Sequence, residues 1–194
     1  KTKETVSHNT TPDVVDLQKT LYKMQQCGCD YVVMEVSSHA LALKRVAGIE
    51  YDTAVLTNIT QDHLDFKNFE NYRDAKSLLF EQLAGGTKEG KTAVLNMDDP
   101  SSKIIAARTK VPVITYGESR ITIFIPSVLT AGQTNGIKAA YACLRDGLVL
   151  KITGEFNVYN VMSAVGAMLA EKIDPQIIMD VLDGFDGVPG RFSW

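Results

Sequence analysis

Three side chains in this sequence have the chemistry to meet around one divalent cation: Glu35, His63 and Lys76. Glutamate offers a hard oxygen and histidine an imidazole nitrogen. Both are ordinary ligands for such an ion, and the carboxylate suits magnesium. Lys76 is the odd member, because an ammonium repels a cation. It falls on the apolar stripe Phe69, Tyr72, Leu79, Phe80 and Leu83, whose spacing is that of one helix face. Two readings of it stay open. Its stem packs while its amine snorkels to water, or the amine points into a polar cluster beside His63.

The elements that must position these groups can be read from the same stretch. Thr53–Leu56 is an apolar run bounded by polar residues, the pattern of a strand buried on both faces. Just beyond it lie Asn58, Thr60, Asp62, His63 and Asp65, at the edge where open α/β sheets bind ligands. The helix carrying Lys76 follows. Upstream, Tyr31–Val36 (YVVMEV) reads as a second buried strand, with Glu35 at its end and Ser37, Ser38 and His39 in the turn after it. A glutamate there either emerges into solvent or is held by a partner or a metal. Its place at the same edge as His63 favours the second. His39 also fits a turn histidine that bonds backbone, and Lys44 and Arg45 close the next short segment.

Around this centre the chain alternates helix and strand. Thr10-Thr11-Pro12-Asp13 reads as a helix start, with Thr11 as N-cap and Pro12 as the first helical residue. Val14, Leu17, Leu21 and Met24 form the expected inward stripe, and Gly28 the stop. The threonines serve either as caps or as a site for an anion at the helix N-terminus. Thr92–Asn96 predicts a strand. Asp98-Asp99-Pro100 caps a helix over Ser101–Arg108, and Val111–Tyr116 is a further strand. This rhythm predicts an α/β fold, a mostly parallel sheet with flanking helices.

The rhythm changes over residues 121–153, where Arg145-Asp146-Gly147 reads as a hairpin turn in a small antiparallel sheet. Gly154–Asn160 leads into a helix with Val161, Ala164, Val165 and Leu169 inward. A last helix spans Ile173–Leu182, and a loop carries Gly187 to Arg191. The expected division is a parallel part at 1–119, the small antiparallel sheet at 120–153 and a final helical part at 154–194.

Composition narrows the function classes. The 194 residues carry a formal charge of −3 and show no basic stripe, which argues against nucleic acid as partner. No apolar run reaches the roughly 20 residues of a membrane span, and no signal peptide is visible. Cys27, Cys29 and Cys143 make an odd count without a framework, the usage of reduced thiols in a cytosolic protein.

The segments HNTTPDVVDLQ, MEVSSHALALKRV, TNITQDHLDF, NYRDAKSLLF, LNMDDP, GEFNVYN and GVPGRF, in this order, resemble the central domain of the Mur ligase family. The likeness runs from His8 to Phe192. It is greatest to the branch that acts on UDP-N-acetylmuramoyl-dipeptide and adds the third residue of the peptidoglycan stem peptide. The resemblance implies that Glu35 and His63 bind magnesium, joined by Lys76 as its carbamate. A neutral amine captures carbon dioxide and becomes an anionic oxygen ligand, which resolves the charge problem at Lys76. It also implies that Asn9, Thr10, Thr11, Ser37 and Arg45 hold the UDP-muramoyl-dipeptide. Asn157 and Asn160 would face the adenine of ATP, and Arg191 its phosphates. Where the family often has glutamine, this chain has Leu43.

The implied reaction is ATP-driven amide synthesis. The γ-phosphate passes to the D-glutamate side-chain carboxylate, and the amine of a diamino acid (meso-diaminopimelate or L-lysine) displaces phosphate from the acyl phosphate. The pattern G-x-x-x-x-G-K-T occurs at Gly85–Thr92, but between a predicted helix and the strand Thr92–Asn96, not in the strand–loop–helix order of a phosphate-binding loop. In the family that loop, with its strand, precedes a segment like Lys1–Asn9, and an amino-acid-binding domain follows GVPGRF. The expectation is therefore a fragment, inactive alone, with an exposed sheet edge through which it could self-associate. The competing readings are another Mur or folylpolyglutamate-type ligase, against which TTPD and SSHALALKRV argue, and a non-catalytic binding module.

Overall fold

A computed structural model of the chain describes residues 9–60, 68–117, 155–185 and 187. Three parallel strands form the sheet: β1 (Thr53–Leu56), β2 (Thr92–Asn96) and β3 (Val113–Tyr116), in the order β1-β2-β3. Ala54 pairs with Ala93 and Leu56 with Leu95, while Val94 pairs with Ile114 and Asn96 with Tyr116. Parallel neighbours need a crossover, and each here is a helix. α3 (Phe69–Gly85) joins β1 to β2, and α4 (Ser101–Arg108) joins β2 to β3.

Alternation along the strands sorts side chains onto two faces. Ala54, Leu56, Ala93 and Leu95 pack with Tyr72, Phe80 and Leu83 of α3 and Ile105 of α4. Val94, Ile114 and Tyr116 pack on the other face with Val55, Tyr159 and Met162. Tyr159 and Met162 belong to α5 (Glu155–Ala170), which lies across all three strands. The contact is close at Gly166, where an added Cβ would fall 2.6 Å from Val94 Cγ1. α6 (Pro175–Asp183), started by Asp174 accepting from the Gln176 N–H at 2.8 Å, packs Ile178 and Leu182 on Val161, Val165 and Leu169. The result is the expected parallel α/β architecture with helices on both faces. The small antiparallel sheet expected over 120–153 lies outside the described residues.

Several expectations need correction. Tyr31–Val36 is not a sheet strand among the described residues and is not buried: Val33 is 98% exposed, and Tyr31 and Val32 are exposed as well. Its β-branched residues favour an extended backbone, but burial requires a pairing partner that propensity does not supply. Thr11 is not the N-cap of α1 (Val14–Gln26). Asp13 holds that position without a side-chain cap bond, so Pro12 lies ahead of the helix. In the predicted inward stripe of α1 only Leu17 is buried and Leu21 half-buried, while Val14 and Met24 are exposed. Gly28 does follow the end of α1, with φ at +75°. Ala164 is exposed rather than inward. β3 begins at Val113 and α6 at Pro175, each two residues later than expected.

Candidate functional site

Residues far apart in sequence meet where Tyr31–Val36 ends. Thr11, 1% exposed, donates its hydroxyl to the Glu35 carbonyl at 3.0 Å and accepts the Ser37 N–H at 3.0 Å. Ser37 is the N-cap of the short helix α2 (Ser38–Ala42), its Oγ accepting from the Ala40 N–H at 3.1 Å. α2 ends in a Schellman turn. The Arg45 N–H reaches the Ala40 carbonyl at 2.8 Å, and the Lys44 N–H reaches that of Leu41 at 3.1 Å. The turn puts Lys44 in the left-handed region at φ +56°, which costs a side-chain-bearing residue about 1–2 kcal/mol.

That turn brings Arg45 back toward α1. Its Nε lies 3.1 Å from Asp13 Oδ1, and Nη1 donates to the Thr11 carbonyl at 3.5 Å. Four residues of the predicted set, Thr11, Glu35, Ser37 and Arg45, thus share one bonded cluster. Asp13 was missed as a member because its position beside Pro12 reads as simple helix-start chemistry. Asn9 and Thr10, next to Thr11 in the chain, are exposed. The Glu35 side chain is exposed too, so its carboxylate is open to a cation as a hard oxygen donor. Leu43 is 61% exposed.

Lys76 is half-buried on α3 with its Nζ 5.3 Å from the centre of the Tyr72 ring. Tyr72 is a core residue that packs in one cluster with Leu56 and Ile59. Helical side chains lean toward the N-terminus of their helix, and the amine accordingly lies over Tyr72, one turn toward the start of α3. His63 and Arg191 lie outside the described residues, as do Asp62 and Asp65. Among the described residues no three or more His, Cys, Asp and Glu gather as a metal cluster.

The rim beyond β1 is held by its neighbours. The Asn96 amide donates to the Thr57 carbonyl at 2.8 Å, and the Tyr116 hydroxyl to that of Leu56 at 3.0 Å. The Ile59 N–H donates to Asp99, whose other oxygen accepts from the Ser101 N–H at 2.8 Å. Pro100 holds the N-cap position of α4 without a side-chain cap bond, so Asp99, one residue ahead of it, is not the cap; it bonds the Ser101 N–H and fixes the segment leading to residue 60. Burial pushes the Tyr116 hydroxyl well above its ordinary range. On the other face of the sheet the Tyr159 hydroxyl donates to Asp98 Oδ2 at 2.8 Å. Asn157, half-buried, and Asn160, exposed, are three apart on α5 and share a face at its start.

Comparison with known proteins fits this layout. The family model of the Mur ligase middle domain matches residues 1–168. The chain belongs to that family. UDP-N-acetylmuramoyl-L-alanyl-D-glutamate–2,6-diaminopimelate ligases are similar over almost its whole length. The Bacillus cereus protein is 44% identical over 191 residues, 95% of this chain and 38% of its own length. The Geobacillus kaustophilus protein is 43% identical over 191 residues, 95% of this chain and 39% of its own. A solved structure of a UDP-N-acetylmuramoyl-L-alanyl-D-glutamate–2,6-diaminopimelate ligase superimposes with a TM-score of 0.69, at 24% identity over 92% of this chain and 37% of that one. This Mur ligase domain thus spans about two fifths of the length of its relatives. None of its described helices is long and apolar enough to cross a membrane.

Proposed function

We propose that this chain is the central part of a longer cytoplasmic ligase that joins UDP-N-acetylmuramoyl-L-alanyl-D-glutamate to a diamino acid at the expense of ATP, in peptidoglycan synthesis. The diamino acid is 2,6-diaminopimelate, the one named for the relatives. One observation carries the reading: the ordered motifs converge, since Thr11, Glu35, Ser37 and Arg45, up to 34 positions apart, share one bonded cluster.

In this reading Glu35 holds magnesium with His63 and with Lys76 as its carbamate. The exposed Glu35 carboxylate fits a hard cation, and Lys76 lies half-buried on α3 with its Nζ 5.3 Å from the centre of the Tyr72 ring. Magnesium, when bound, neutralises charge on the phosphoryl group in transfer. Asn9, Thr10, Thr11, Ser37 and Arg45 together form the part of the site that orients the UDP-muramoyl-dipeptide. Asn157 and Asn160 receive the adenine, and Arg191 offsets phosphate charge. Catalysis of phosphoryl transfer is mostly positioning and electrostatics, so these residues contribute by placement.

The test is phosphate release by the full-length reading frame that contains these residues, supplied with ATP, magnesium and the UDP-dipeptide. Release that depends on diaminopimelate is expected, and the 194-residue chain alone is expected to give none. Release indifferent to the UDP-dipeptide would sink the reading. Lys76→Ala should abolish turnover, and wild-type protein in labelled bicarbonate should show a carbamate carbon signal that the variant lacks.

A further inference from the structure

We infer that Thr11 is a positioning residue that locks Glu35 to Ser37, and that its hydroxyl does not donate to the substrate. This rests on the ligase reading above and refines the role of one residue within it. A threonine hydroxyl has one proton and two lone pairs. Here the proton goes to the Glu35 carbonyl and one lone pair to the Ser37 N–H, both at 3.0 Å, with the residue 1% exposed. What remains is a single acceptor site. The carboxylate and phosphoryl oxygens of a UDP-muramoyl-dipeptide are acceptors, and Thr11 has no proton left for them.

The geometry says what the hydroxyl does instead. The carbonyl of Glu35 and the N–H of Ser37 flank Val36. These are the two groups that a residue on a neighbouring parallel strand would bond. Thr11 Oγ1 takes both, and so stands in for one rung of a ladder on a segment that has no strand pairing among the described residues. The bonds fix the backbone on both sides of Val36. They set the direction in which the exposed Glu35 carboxylate leaves the chain and hold the N-cap of α2 at a fixed offset from it. Donors for substrate oxygens are found next door. The Ser37 Oγ accepts from Ala40 and keeps its proton, Arg45 spends only part of its fork on Asp13 and Thr11, and Thr10 is exposed.

The experiment uses the full-length enzyme and separates kcat, KM for the UDP-dipeptide and the magnesium concentration for half activity. Thr11→Val keeps the shape and removes both bonds. It is expected to lower kcat about 10-fold or more and to raise the magnesium requirement, the usual cost of losing a partner behind a metal ligand. KM for the UDP-dipeptide is expected to stay within about threefold, the mark of an interaction not made with bound substrate. Thr11→Ser, which restores the hydroxyl, should recover wild-type kcat and magnesium dependence. Arg45→Lys should raise the same KM with the magnesium requirement unchanged. If Thr11→Val does not fold, Thr11→Cys, with its weak donor, is measured in its place.

A raised KM with unchanged kcat in the valine or cysteine variant overturns the inference, because it makes Thr11 a substrate contact. A serine variant as impaired as the valine variant also overturns it, because packing of the methyl group would then be what matters. Wild-type protein without diaminopimelate-dependent turnover overturns the ligase reading, and this inference with it.

Discussion

Two apolar runs of similar length have opposite fates in this fold. Thr92–Asn96 (TAVLN) is β2, hydrogen-bonded on both sides and buried along its length, with Val94 0% exposed. Tyr31–Val36 (YVVMEV) is richer in β-branched residues, yet Val33 is 98% exposed. The difference is not propensity but neighbours. β2 has β1 and β3 beside it, α3 and α4 on one face and α5 on the other. The Tyr31–Val36 segment is held at its far end, by the Thr11 hydroxyl and by Met34 and Val36 packing near Leu17, Leu41 and Val46. A rigid parallel core thus lies beside an edge held by side chains, and part of the proposed site is on that edge.

Breaking the two regions should give unequal effects. Leu95→Ala, a cavity in the buried face of β2, should cost about 2–5 kcal/mol in urea unfolding, while Val33→Thr should stay within about 0.5 kcal/mol. Equal losses would mean that the edge is as well packed as the core. Gly166→Ala comes next. Its methyl would meet Val94, a stiff side chain in a full core, and should cost about 1–3 kcal/mol. Val94→Ala in the same protein should recover part of that loss, and a simple sum of the two single losses would show that the contact is not the cause.

A modest effect of opposite sign comes from the residue between the regions. Tyr51 packs against both clusters, and its buried hydroxyl has no hydrogen-bond partner among the described residues. Tyr51→Phe should therefore raise stability by about 1 kcal/mol. Burial also pushes the Tyr51 hydroxyl from 10.0 to about 12. The folded state then holds the proton longer than the unfolded state, so this contribution is intact below pH 10 and is lost as pH rises toward 12. The phenylalanine variant should lose less stability over that window. An identical alkaline profile would show that burial does not raise the Tyr51 hydroxyl.

Much of the core was legible because its signals are local. β1 and β2 follow from short apolar runs between polar bounds, and α3 from the spacing of Tyr72, Phe80 and Leu83. Positions decided by distant contacts were not legible. Thr11 before Pro12 has the form of an N-cap, but its hydroxyl is taken by backbone groups 24 and 26 residues away. Asp99 reads as a cap, but Pro100 holds that position, and the Asp99 bond to Ile59, 40 residues back, has no sequence signature. Glu35 was assigned to a buried strand and is exposed, because an apolar run does not reveal whether a partner lies alongside. The ordered motifs carried more than any single residue, since Asn157 and Asn160 alone fit helix capping and Arg191 alone a solvated loop charge.

The most direct test of the account is the magnesium dependence of diaminopimelate ligation by the full-length protein, wild type against Glu35→Gln. The account predicts ATP-driven product formation in the wild type and, in the variant, loss of turnover that excess magnesium restores only in part. Unchanged turnover and magnesium dependence in Glu35→Gln would contradict it.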